Sequence, residues 1–347
     1  MKSRRFLLFA TLALTLLFTA CDKGNDAPPP DSASPGTALE KLEFRYLNMG
    51  GYVDILELAE DLGYLAPVKL KNVGMVAGGP QGIQVLLSGD SDCAISFTGA
   101  IIKVAVSGAP VTAVIAAFGY DTEDDTFFGK SGFYVREESD IHGPRDLIGK
   151  KIAINTLGAQ AELVLREYMA RGGLRKEEID QVEFLVIPPG SMEQVLRQQQ
   201  VDVAQSGGIG FNQGVRRLFR TEDVYRNFTA GAYVMSNHYL RENPNTSRHV
   251  ISAMSRAIKW AKATPRAEVL ARLRQINIKR GRSENNAIID VWTGYGIVSP
   301  SGALKDEDFQ IWIDWYIRDG QFKASDVDLK KLYTNAFNAH AQPVAQE

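Results

Sequence analysis

Five short turns in this sequence carry the same kind of chemistry. Asn48-Met49-Gly50-Gly51, Gly78 to Gln81, Ser96-Phe97-Thr98-Gly99, Asn155 to Gln160 and Ser206-Gly207-Gly208 each combine small residues with a hydroxyl or amide. Glycine lets another molecule approach the main chain closely, and a helix that starts in such a turn presents unpaired N–H groups and the positive end of its dipole. Helices predicted to start at about residues 51, 99 and 158 would aim these groups at an anion. Thr98, Thr156 and Ser206 add hydroxyl donors, Gln81 and Gln160 add amides, and Arg45 or Lys103 could supply a counter-charge. Each also has a simpler role. Thr98 and Thr156 are good helix caps, Arg45 lies on the polar side of a strand, and Tyr46 and Tyr120 suit a core with a satisfied hydroxyl.

Bond-making chemistry has less support. His142, His238, His249 and His340 are scattered without metal-ligand spacing, so neither a metal nor a cofactor is expected. Gly129-Lys130-Ser131 ends like a phosphate loop, but Asp124 stands where its leading glycine belongs. Gly208-Ile209-Gly210 with Gly214 has one residue too many for a dinucleotide fingerprint, and no nucleophile elbow occurs. The acids Asp121, Glu123, Asp124 and Asp125 read as a solvated loop. No catalytic constellation emerges, and the expectation is a non-enzyme.

The turns need elements to hold them. Phe44 and Tyr46 alternate with Glu43 and Arg45 as in a strand, preceded in phase by Leu42, and Ile55, Leu58, Ala59 and Leu62 then form one helical face that stops at Gly63. Val68 to Val73 reads as the next strand, Ile83, Leu86 and Leu87 as a helical face, Cys93 to Ser96 as a short strand and Val111 to Ala117 as a buried one. Lys151 to Ile154 and the helix carrying Ala161, Val164, Leu165 and Tyr168 restart the pattern. Alternation of this kind predicts mainly parallel sheets flanked by helices. A shift of 110 positions lays Gln84-Val85-Leu86, Asp92, Ala94 and Ser96 onto Gln194-Val195-Leu196, Asp202, Ala204 and Ser206, so two similar lobes are expected. From Met235 the pattern turns to long helices, with stripes Val250, Met254, Ala257, Ile258, Ala261 and Phe309, Trp312, Ile313, Tyr316. Helices without a sheet of their own must pack on one already built, which returns the chain to the first lobe. Two crossings follow, near Tyr120 to Lys130 and near Ala230 to Ser236, and paired crossings make a hinge.

With 347 residues, 45% hydrophobic and 23% charged, the chain is large enough for two cores and too ordinary in composition for a disordered or multi-span protein. Lys plus Arg number 39 against 41 Asp plus Glu, which gives no broad basic face for nucleic acid. At the start, Lys2, Arg4 and Arg5 precede an uncharged run from Phe6 to Ala20, shorter than the ~20 residues a spanning helix needs. That pattern marks a signal peptide. Phe18-Thr19-Ala20-Cys21 resembles the lipobox of bacterial lipoproteins, where the cysteine takes a lipid, although Phe18 departs from the usual aliphatic residue. The alternative is plain secretion with Cys21 a bystander. Residues 22 to 40 are rich in Pro, Ser, Asp and Gly and read as a flexible tether. Loss of residues 1–20 takes the formal net charge from −2 to −5, and with Cys21 lipidated only Cys93 remains as a thiol, in an apolar setting that suits a small core residue.

Three stretches give the pattern a family resemblance. They are Gly63-Tyr64-Leu65; Gly79-Pro80-Gln81 through Ser88-Gly89-Asp90-Ser91-Asp92-Cys93-Ala94-Ile95-Ser96; and Asp146-Leu147-Ile148-Gly149-Lys150-Lys151-Ile152-Ala153 leading to Asn155-Thr156-Leu157-Gly158. Over about residues 42 to 265 the chain resembles the solute-binding lipoproteins of ABC importers, in the nitrate, sulfonate, taurine and thiamine-precursor group of type II periplasmic binding proteins. The resemblance implies an α/β, two-lobed molecule with a ligand cleft between the lobes: 1–20 signal peptide, 21–40 lipidated tether, 41–125 plus 233–347 lobe 1, and 126–232 lobe 2. It implies ligand contacts at the turns after the first strand, after Ser96 and around Thr156 to Gln160. Joined to the turns above, the candidate ligand set is Asn48, Met49, Gly50, Gly51, Gln81, Ser96, Phe97, Thr98, Asn155, Thr156, Leu157, Gly158, Gln160, Ser206 and Gly207. Met49, Phe97 and Leu157 give the cleft an apolar component that suits an organic acid such as a sulfonate or carboxylate. The implied partners are a membrane permease with its cytoplasmic ATPase and, through lipid on Cys21, the membrane; the protein is expected as an exported, anchored monomer. Two alternatives stay open, a sensory binding lipoprotein and a thiamine-pyrimidine-precursor enzyme on the same fold. Asp22 resembles an inner-membrane retention signal used by some bacteria.

Overall fold

The computed structural model describes residues 38–49, 52–76, 78–121, 131–206, 211, 214–290 and 294–341. The signal segment, Cys21, Asp22, Gly50, Gly51, Gly207 and the first crossing at 122–130 lie outside the described residues.

The first sheet begins with β1 (Glu43–Met49), helix α1 (Ile55–Asp61) and β2 (Lys69–Val76). β1 and β2 run parallel, with a register shift between Tyr46 and Leu47. Phe44 and Tyr46 point into the core as their alternation requires, whereas Leu42 precedes the strand and stays exposed. Next come α2 (Gly79–Leu87), β3 (Ala94–Phe97), α3 (Thr98–Val106) and β4 (Val111–Tyr120). The second lobe follows as β5 (Gly132–Arg136), β6 (Lys151–Ile154), α4 (Gln160–Arg171), α5 (Lys176–Ile179), β7 (Glu183–Val186), α6 (Met192–Arg197), β8 (Val203–Ser206), β9 (Val215–Phe219) and α7 (Thr221–Val224). Its strands form one five-stranded sheet in the order β7-β6-β8-β5-β9. The chain then makes β10 (Phe228–Ser236), which sits between β3 and β4 in a three-stranded sheet.

The sheets are mixed rather than mainly parallel. β6 is parallel to β7 and β8, but β10 is antiparallel to both β3 and β4, and β5 is antiparallel to β8 and β9. Alternation of strands and helices could not reveal this. The reversed strands flank the stretches where the chain passes between lobes, and a strand that enters a sheet from a crossing has no βαβ connection to fix its direction. Phe228 to Met235 is a continuous buried run, which hides strand periodicity.

The 110-residue repeat is structural. α2 and β3 correspond to α6 and β8, and the repeated acid does the same work in each. Asp92 Oδ2 accepts the Arg45 N–H at 2.8 Å while its own N–H donates to the Arg45 carbonyl at 2.9 Å. Asp202 Oδ2 accepts the Lys151 N–H at 2.9 Å and its N–H donates to the Lys151 carbonyl at 2.8 Å. A carboxylate that accepts a backbone donor makes a strong, directional tie, so β1 is pinned to the segment entering β3 and β6 to the segment entering β8.

The remainder is helical: α8 (Asn237–Glu242), α9 (Pro244–Ala263), α10 (Arg266–Lys279), α11 (Asn286–Asp290), α12 (Glu307–Arg318) and α13 (Leu329–Leu332). α9 packs on α1 through Val250, Met254, Ala257 and Ile258, and α12 packs on α3 and β10 through Phe309, Trp312, Ile313 and Tyr316. Asp308 Oδ1 accepts the Thr229 N–H at 2.7 Å, which fastens the start of α12 to the start of β10.

Candidate functional site

The turn after β1 is held from below by a buried charged network. Asn48 Nδ2 donates to the Tyr52 carbonyl at 2.8 Å, Asp54 caps α1 by accepting the Glu57 N–H at 3.0 Å, and the Tyr295 hydroxyl donates to the Val53 carbonyl at 3.0 Å. Tyr46 donates to Glu57 at 2.6 Å and accepts from Arg280 at 2.9 Å; Arg282 Nη2 donates to Glu57 at 2.6 Å. Asp54 keeps one buried oxygen without a partner, and burial, with the Glu57 charge adding to it, pushes its carboxyl well above the usual range. Glu57, off the apolar face Ile55, Leu58, Ala59 and Leu62, is nonetheless fully buried.

Ser96 and Thr98 close β3 and open α3. Ser96 is buried with no partner for its hydroxyl, and it lies so close to Gly79 that a Cβ there would come within 2.2 Å of Oγ and 2.7 Å of the backbone Cα. Only glycine permits that approach of α2 to β3. The α3 cap residue is Phe97, not Thr98; the Thr98 hydroxyl donates to the Ala230 carbonyl at 3.3 Å and so ties α3 to β10. Gln81 is exposed on α2.

On the second lobe, Asn155, Thr156 and Leu157 stand in the turn after β6, and neither the Asn155 nor the Thr156 side chain has a partner among the described residues. Gly158 has φ +67°, a left-handed conformation that glycine adopts freely, and its N–H donates to Glu162 Oε2 at 2.8 Å. α4 therefore begins at Gln160 with Ala159 as its cap, leaving Thr156 free of capping. Gln160 Nε2 donates to the Tyr120 hydroxyl, which also bonds Ser131 and Thr221. Tyr120 is thus the joint between β4 and the second lobe. Burial raises its phenol, so it stays protonated as a donor. Ser206 is buried at the end of β8, and its carbonyl accepts from Ser131.

Between the lobes lies an aromatic floor. The Trp312 ring meets Phe97 edge-on at 4.3 Å and lies 6.1 Å from Tyr225 and 6.3 Å from Phe228; Phe228 stacks on Tyr120 at 5.1 Å. Trp312 Nε1 and the Tyr316 hydroxyl are buried without partners. The sequence showed these α12 residues as a core stripe, and nothing in the spacing marks them as facing a second lobe. The rim is apolar: Tyr52, Met75, Leu157 and Val186 are exposed, each at or just beyond the carboxyl end of a parallel strand, the positions where α/β sheets place ligands.

The two candidate counter-charges separate. Arg45 is spent on Asp92, with Nη2 2.7 Å from Oδ1, and on the Gly89 carbonyl at 2.8 Å. Lys103 instead reaches from α3 to the second lobe, where its ammonium lies 3.3 Å from the position a Gly158 Cβ would occupy and 4.6 Å from the centre of the Tyr316 ring. It has neither ion pair nor hydrogen bond among the described residues. Burial holds its pKa below the ordinary lysine value, opposed by the charges of Glu162 and Asp319. Among the described residues no cluster of His, Cys, Asp and Glu fits a metal, and no helix is long and apolar enough to cross a membrane.

This fold is found in solved periplasmic binding proteins. The nitrate-binding protein NrtA from Synechocystis PCC 6803 is 16% identical, covering 87% of this chain and 88% of its own with a TM-score of 0.67. The alkanesulfonate-binding protein SsuA from Xanthomonas axonopodis pv. citri, bound to MOPS, is 18% identical over 86% of this chain and 99% of its own, TM-score 0.62. The desulfurization enzyme DSZB also shares the fold, at 15% identity over 86% and 97%, TM-score 0.54. No curated protein matches the chain. The family model described as NMT1/THI5 like matches residues 54–268, from the cap of α1 into α10 and so across both lobes, and the chain belongs to that family.

Proposed function

We propose that this protein is an exported solute-binding lipoprotein of an ABC importer, anchored through Cys21, that captures a small organic anion such as a sulfonate or carboxylate and delivers it as a monomer to a membrane permease with a cytoplasmic ATPase. The ligand sits between the lobes, which the chain joins after β4 and again ahead of β10; Ala230 to Ser236, expected as the second crossing, instead lie within β10 between β3 and β4. Its proposed contacts are Asn48, Gln81, Ser96, Phe97, Asn155, Thr156, Leu157, Gly158, Gln160 and Ser206, with Met49, Gly50, Gly51 and Gly207 as the sequence reading adds them.

The observation that carries this reading is Lys103: an ammonium of one lobe with neither ion pair nor hydrogen bond among the described residues, set beside the Gly158 turn of the other. An anion there would touch both lobes at once. Because such a ligand binds the closed form better, it shifts the population towards closure, and the closed form is what a permease recognises. The apolar rim supports an organic body over a bare inorganic ion. The likeness of NrtA and SsuA to this chain lends nitrate and sulfonate importers as the model for delivery.

The test is a thermal-shift screen of sulfonates, nitrate, amino acids and aromatic acids, in which a true ligand at 100 times its dissociation constant stabilises by ~2.7 kcal/mol. Thr156→Val then weakens each hit about three- to tenfold, the cost of one hydrogen bond, and leaves the ligand-free melting temperature unchanged because its hydroxyl has no partner among the described residues to lose. Unchanged affinity in calorimetric titration would remove Thr156 from the site. The likeness to DSZB favours one other reading, catalysis in the same cleft, in which purified protein would convert a bound compound instead of releasing it unaltered.

A further inference from the structure

We propose that Lys103, backed by Tyr316 and Trp312 of α12, is the residue that reads the charge of the ligand, holding its anionic head between α3 and the first turn of α4. The inference rests on the organic-anion reading above and adds a subsite to it that lies partly beyond the segment carrying the family.

Four observations converge on one place. Lys103 lies against the Gly158 turn, and α4 opens there with a cap residue, Ala159, whose side chain accepts nothing. Twelve residues of α4 stand behind that opening, so a negative group is favoured there. The two acids nearest Lys103 are already engaged. Glu162 pairs with Arg166 at 2.8 Å and accepts the Gly158 N–H, and Asp319 pairs with Lys176 at 3.1 Å. The Tyr316 ring supports the ammonium, while its hydroxyl, fully buried and unpartnered, lies 2.8 Å from where a Gly99 Cβ would stand at the start of α3. Trp312 Nε1, one turn earlier on α12, is a second fully buried donor without an acceptor. Native proteins rarely leave buried donors unmet, and the Tyr316 hydroxyl and Trp312 Nε1 are two such donors on the helix whose Tyr316 ring carries the half-buried Lys103 ammonium. An anionic group answers Lys103; a cation does not.

Benzenesulfonate and benzenesulfonamide have one shape and differ in charge, so titration calorimetry of the full chain with both tests the assignment. The wild type prefers the sulfonate by more than about tenfold, and Lys103→Met raises the benzenesulfonate dissociation constant about 10- to 100-fold while the sulfonamide changes by less than about twofold. Lys103→Arg keeps most of the preference, and Tyr316→Phe weakens the sulfonate about three- to tenfold without lowering the ligand-free melting temperature. Lys103→Met itself keeps its ligand-free melting temperature within about 2 °C, since no ion pair is lost. Equal loss of both probes, or loss of neither, in Lys103→Met overturns the inference alone. Failure of the wild type to bind benzenesulfonate or any other anion of the screen overturns the organic-anion reading beneath it.

Discussion

Glu57→Ala lowers the unfolding free energy by about 3–5 kcal/mol in urea titration, one of the two largest effects expected of any single change in this chain. The carboxylate is fully buried and answers Tyr46 at 2.6 Å, Arg282 at 2.6 Å and Arg280 at 3.7 Å. Removing it leaves the Arg282 guanidinium, which already has Nε and Nη1 buried and unpartnered, without its one carboxylate. An uncompensated buried cation is what makes the breaking of such a pair so costly, far beyond the net worth of the pair itself. The loss reaches the cleft as well, because Tyr46, Asp54 and Glu57 together fix the turn from Asn48 to Val53. Glu57→Gln keeps one acceptor oxygen, enough for Tyr46 or for Arg282 but not for both, and loses the charge that answers Arg282, so its cost falls between zero and that of Glu57→Ala. A change below about 1 kcal/mol in Glu57→Ala would show that the network is not closed as described.

Trp312→Ala is expected to cost a similar ~3–5 kcal/mol, for a different reason. Its ring fills the junction of four elements, touching Phe97 at the start of α3, Phe228 at the start of β10 and Tyr225 at the end of the second lobe. Truncation opens a cavity whose walls, Phe97 and Phe228, are held in place by the β3-β10-β4 sheet and cannot relax far into it. Trp312→Phe keeps a ring against Phe97 and also deletes a buried donor that has no acceptor, so it costs less than half as much. Urea unfolding of the two variants separates these contributions; equal losses would mean that the indole N–H, not the packing, matters to the free protein.

Much of this was legible in the sequence, and the failures have physical causes. The strand-turn-helix units and the repeat with Asp92 and Asp202 could be read because hydrophobic period and glycine position are local signals. The direction of β5 and β10 could not, since a run buried on both faces carries no alternation and a crossing between lobes obeys no handedness rule. Thr98 illustrates a similar limit: its type suited either a cap or a ligand donor, and only the proximity of Ala230, far along the chain, assigned its hydroxyl to the core. Arg45 and Lys103 looked equivalent as counter-charges until Asp92 claimed one of them. The α12 residues behind Lys103 were hidden by their own periodicity, because a stripe that packs on α3 and a stripe that also faces a second lobe are written alike.

Closure of the two lobes over an anion is tested most directly by a distance across the cleft mouth. Met75 and Val186 are exposed at the carboxyl ends of β2 and β7, one on each lobe, and Cys93 is buried with its thiol pushed up by burial, which keeps it from the label. Spin labels at Met75→Cys and Val186→Cys, in a chain carrying Cys21→Ser, report that separation by pulsed electron resonance. Saturation with the anion that gives the largest thermal shift should narrow the distribution and move it to shorter distance; a distribution identical with and without the anion would contradict the account.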